Sequence, residues 1–75
     1  MAKNEVTAQR VSEARIDFVM LLANAGYSNQ RIADVVNAHF NELVILADAM
    51  TEWSPRVLAQ AMCYRATRDD ALGGE

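Results

Sequence analysis

Residues 28–53 run for 26 positions without a glycine or a proline. Within them Ile32, Val36, His39, Leu43, Leu46, Met50 and Trp53 recur four and three positions apart. Side chains so spaced fall on one face of an α-helix, whereas a half-buried strand needs an apolar residue at every second position. The seam therefore predicts an amphipathic helix over 29–53, about 37 Å long at about 1.5 Å per residue.

Punctuation on either side predicts two more helices. Upstream, Val11, Ala14, Phe18, Leu21 and Ala25 step three and four apart, which predicts a helix over 5–25. Asn4 or Thr7 is placed to cap it, and Glu5 suits the positive end of its dipole. Gly26 stands where a left-handed residue closes a helix, with Tyr27 placed for the contact that often follows. Ser28 is then a natural N-cap for the middle helix, and so short a connection makes the first two helices antiparallel or sharply angled neighbours. Downstream, Ser54-Pro55 reads as a cap followed by a first helical residue whose missing N–H costs nothing. The third helix is expected over 55–70 with Leu58, Ala61 and Met62 inward, and frayed ends over 1–4 and 72–75. Strand spacing is absent, so the expected fold is all-α. It is a small helical bundle, or a helical hairpin plus a C-terminal helix, in a single domain over 1–75.

Size bears on partners. A domain of 75 residues buries only about 60% of the surface that its unfolded chain exposes. The composition is 52% apolar, but thirteen of those residues are alanine, so bulky core side chains are scarce. Small helical chains with thin cores often complete themselves by association. Phe40, Val44 and Ala47 also lie on a flank beside the main seam, with Ile45 close by, giving the middle helix two apolar faces. The third helix could cover the second face, or a second copy or target protein could. Phe40, Val44, Ile45 and Leu46 are the candidate protein-interface residues. A homodimer that also binds an unidentified protein is the expected state.

The residues of catalysis and metal binding are sparse. Cys63 and His39 are the sole cysteine and histidine, against the four or so clustered ligands of a zinc site. No third residue is placed to orient a Cys-His pair, and there is no glycine-rich phosphate loop. The chain is expected to be no enzyme and to hold no cofactor or metal. A lone cysteine suits a reducing cytoplasm, where it is most often a small core residue. The polar N-terminus argues against a signal peptide, and the longest apolar run, 18–23, is six residues against the roughly 20 that cross a bilayer.

The middle segment also fits a second frame. Ile32-Ala33 forms an aliphatic–alanine pair, Val36 follows it, and Asn37 stands four positions after the alanine, where a left-handed backbone is wanted. Leu43 and Leu46 then occupy apolar locking positions. Over residues 16–53 this pattern resembles the helix-turn-helix superfamily, and the resemblance implies a middle helix broken near Asn37. It would make the second piece a DNA-reading helix carrying His39 and Asn41, with Arg31 of the first piece as a further DNA contact. The charge pattern departs from that expectation. Residues 1–25 and 54–75 are each neutral, and the whole net charge of −3 lies in 26–53, where Arg31 faces Asp34, Glu42, Asp48 and Glu52. Phosphate neutralisation supplies most non-specific DNA affinity, so an acidic reading helix is badly placed.

Arg65 and Arg68, three apart beside Tyr64, read as a solvated helix end whose charge suits the C-terminal dipole. Together these features favour a small non-enzymatic interaction module or regulator that binds a larger protein. In size and lack of chemistry it resembles phage or bacterial inhibitors and adaptors. A helix-turn-helix transcriptional regulator is the alternative.

Overall fold

A computed structural model describes the backbone of residues 2–73 and the side chains of 7–69. Three helices follow one another: α1 (Ala2–Asn24), α2 (Asn29–Ala49) and α3 (Pro55–Gly73). No strand occurs among the described residues. The fold is a small all-α bundle in which α1 and α2 form a hairpin and α3 packs chiefly against α1 and to a lesser extent against α2.

The α1–α2 turn is built as the residues dictate. The Tyr27 N–H donates to the Leu22 carbonyl and the Gly26 N–H to that of Ala23, both at 3.1 Å. This is the paired closure of a Schellman cap. It requires a left-handed residue, and Gly26 supplies it at φ 97°. Tyr27 then packs its ring against the core. Ser28 caps α2, its hydroxyl oxygen accepting from the Arg31 N–H at 3.2 Å. Ser54 repeats the device for α3, accepting from the Val57 N–H at 3.3 Å with Pro55 as first helical residue.

Of the two middle-segment arrangements, the unbroken helix is adopted. α2 passes through Asn37 without interruption, and among the described residues only Gly26 has positive φ. The expected helix limits shift elsewhere. α2 stops at Ala49 rather than Trp53, because the Met50 backbone departs to φ −104°, ψ 69° while its N–H still reaches the Leu46 carbonyl. The residue before Pro55 is barred from helical backbone, and Met50 and Trp53 lie half-buried in the connection instead of on the helix. α1 begins at Ala2, so Asn4 and Thr7 fall inside it rather than capping it, and α3 runs on to Gly73. The expected fraying is therefore not seen in the backbone of 2–4 or 72–73, while Met1, Gly74 and Glu75 lie outside the described residues.

Thirteen apolar residues form the buried core, and the bulkiest fully buried ones are Phe18, Leu22, Leu43, Leu58 and Met62. Ala14, Ala47, Ala59 and Ala66 are buried among them, so alanine serves here as close-packing surface rather than as missing bulk. The expected seam differs at a few positions on two helices. Leu22 takes the interior place expected of Leu21, which is half-buried, and Ala25 is exposed in the turn. Ala59 is buried where Ala61 was expected, and Ala61 is half-buried. The second apolar face of α2 is split: Ala47 is fully covered, Val44 is half-buried, and Phe40 and Ile45 face outward.

Candidate functional site

One face of the α1/α2 hairpin carries most of the exposed bulky apolar side chains. Ile45 is 67% exposed, Ile16 59%, Met20 58% and Phe40 40%. These residues line two grooves that meet at Arg15. The first, about 630 Å³, has Ala8, Val11 and Ser12 along its α1 side and Phe40, Val44 and Ile45 along its α2 side. Arg15 and Asp48 also line it. The second, about 460 Å³, continues from Arg15 between Ile16, Val19 and Met20 of α1 and Ile32, Ala33 and Val36 of α2. Isolated exposed apolar side chains are ordinary on a protein surface, whereas here several lie in sequence along one helix pair.

Three of the four candidate interface residues, Phe40, Val44 and Ile45, are brought together in the first groove. Leu46 is not, because it turns toward the interior and packs half-buried against the core. Sequence reasoning missed the α1 half of the face. The signal was present, since Ile16, Val19 and Met20 stand three and four apart on a stripe beside the Val11–Phe18 seam.

Arg31 and His39 are gathered in a separate cleft between α2 and α3, lined also by Asp34, Ala66 and Asp69; Asn41 is exposed and does not line it. Two carboxylates in this cleft outweigh one guanidinium, an unfavourable setting for phosphate. His39 is held between helices. A carbonyl can only accept, so Nδ1 carries the proton that it donates to the Val35 oxygen at 3.0 Å. Its ring meets Phe18 edge-on with centroids 6.5 Å apart, and Nε2 lies 3.6 Å from Asp69 Oδ2. The ring's polar edge is thus turned toward α3 rather than outward along α2.

Cys63 is half-buried against the core, and burial pushes its thiol pKa up, away from the thiolate that nucleophilic chemistry needs. Among the described residues no three His, Cys, Asp or Glu side chains come together as a metal would require, and no helix is long and apolar enough to cross a membrane.

A further feature, Arg10, sits at the far end of the hairpin. Its guanidinium donates to the carbonyls of Ala47 (2.6 Å), Met50 (2.8 Å) and Trp53 (2.5 Å). It thereby fastens α1 to the end of α2 and to the connection that leads into α3. No family model matches the chain, and neither a curated protein nor a solved structure matches it.

Proposed function

We propose that this chain is a small non-enzymatic interaction module, a regulator or adaptor whose α1/α2 face docks a larger protein. The observation that supports this is the run of exposed Ile16, Met20, Phe40 and Ile45 along two confluent grooves. Covering such partly exposed side chains stabilises a complex by about 1 kcal/mol each. An amphipathic helix laid into a groove is the common way to cover several at once. The acidic balance of residues 26–53 weighs against duplex DNA as the partner.

The test is affinity capture from a bacterial lysate with the tagged wild type, Met20→Asp in the second groove, and Gln60→Asp on exposed α3 as control. Proteins retained by wild type and by Gln60→Asp should be lost with Met20→Asp. Equal recovery by all three chains, or none by the wild type, would overturn the reading.

A further inference from the structure

The second groove carries charge of one sign only. Its walls are apolar, with Ile16, Val19 and Met20 on α1 and Ile32, Ala33 and Val36 on α2, and no described α3 residue lines it. Arg15 is the one charged side chain among the described residues that do. It stands at the end away from the Gly26 turn, because Met20 and Asn29 are the lining residues nearest that turn in sequence. Arg15 is exposed and, among the described residues, makes no ion pair or side-chain hydrogen bond. Three and four positions away on α1 are Val11, Ser12, Phe18 and Val19, so no carboxylate is placed along the helix to neutralise it. Asp48 lines the first groove and not this one.

We infer that the occupant of the second groove is an amphipathic helix of another protein, its apolar stripe seated between Met20 and Ala33 and one of its carboxylates on Arg15. This rests on reading the α1/α2 face as an interaction surface and specifies the chemistry of what docks there. The backbone decides the form. Both walls are helices, whose N–H and C=O groups are bonded internally, so an extended peptide finds no strand edge to pair with. A helix brings its own hydrogen bonds. The shallowness of the groove decides against a small amphiphile. Ile16 and Met20 are each more than half exposed, whereas a drug-sized ligand is held where most of its surface is enclosed. A helix covers the apolar walls and turns its polar back to water.

Charge decides the sign, and length decides the spacing. A basic segment would bring like charges together at Arg15 and oppose association, whereas a carboxylate there complements it. Asn29 and Asn37 mark the ends of the α2 wall, and the eight residues between them span about 12 Å, slightly more than two helical turns. The docking helix therefore needs apolar residues at i, i+3 and i+4 near Met20. Its Asp or Glu follows at i+7 or precedes at i−7, according to the direction in which the helix lies.

Selection from a random phage-displayed library of peptides about 18 residues long, enough to form a helix, reads the preference of the groove directly. Peptides retained by the wild type and not by Met20→Asp should share the apolar trio with Asp or Glu at i+7 or i−7. A synthetic peptide of that consensus, followed by fluorescence anisotropy, should bind Arg15→Glu about 10-fold or more weakly than the wild type. The same peptide with lysine in place of its acid should bind Arg15→Glu to within about 3-fold of the original pair. Arg15 and Met20 are both exposed, and circular dichroism establishes that each variant is folded. No Met20-dependent peptide, a consensus without the acid, or binding indifferent to Arg15→Glu would each overturn the inference. So would sedimentation equilibrium in which the wild type dimerises and Met20→Asp does not, which would give the groove to a second copy. Lysate capture that depends on Met20 but not on Arg15 would leave the docking surface standing without the acidic helix, so the two readings fail separately.

Discussion

Arg10 does more for the fold than any other polar side chain described. The last carbonyls of an α-helix lack intrahelical donors and carry its negative pole. Here one guanidinium satisfies the Ala47 carbonyl in the last turn of α2, together with those of Met50 and Trp53 in the connection. Arg10→Ala would strand these oxygens in a partly buried site, and should lower unfolding free energy by about 2–3 kcal/mol, since hydrogen bonds to charged groups exceed neutral ones. Urea denaturation measures it, and a loss under about 0.5 kcal/mol would mean that water replaces the guanidinium freely. Ser54 is a smaller case of the same kind. Its one capping bond to Val57 should cost about 1 kcal/mol on Ser54→Ala. The two differ in how far they can be read from sequence. Ser54 announces itself by standing directly before Pro55. Arg10 meets residues 37 to 43 positions away, and no local pattern encodes a contact so distant.

At the scale of the elements, Asn37 separates the two frames that the middle segment satisfies. In a helix-turn-helix it would hold a left-handed turn, and alanine there would be strained. In the continuous α2 it is an exposed interior position, where asparagine is the poorer helix former. Asn37→Ala should therefore raise stability by about 0.3–0.7 kcal/mol. A destabilisation of that size would argue for a break in solution. The existence of three helices, the Gly26 closure and both serine caps were legible because each is written within a few residues. The end of α2 was not. Met50 and Trp53 continue the apolar spacing of the seam, yet both lie off the helix, so the periodicity ran past the backbone that carried it. The site was half legible for a similar reason. Periodicity marks which residues are apolar on a face but not which neighbour covers them. Leu46 was thus counted with the interface as well as with the seam, and it packs half-buried against the core, while Ile16, Val19 and Met20 on α1 were passed over.

For the whole molecule, the balance between core and surface decides how the chain should respond to concentration. Its described core holds thirteen residues, four of them alanine, so the bulky apolar side chains left outside are a substantial share of what this chain could bury. If the first groove closes on a second copy, folding and association are linked, and the folded state gains stability as protein is added. The thermal midpoint should then rise by about 5–10 °C over a 100-fold increase in concentration, since a domain of this size shifts by several degrees for each kcal/mol. Ile45→Asp, at the most exposed apolar side chain of that groove, should flatten that dependence while leaving the midpoint at the lowest concentration unchanged, because Ile45 packs neither in the core nor in the Arg10 clasp. Differential scanning calorimetry on both chains distinguishes the outcomes. A midpoint independent of concentration in the wild type would mean that the thirteen-residue core suffices alone. The groove would then be left to a partner of different sequence.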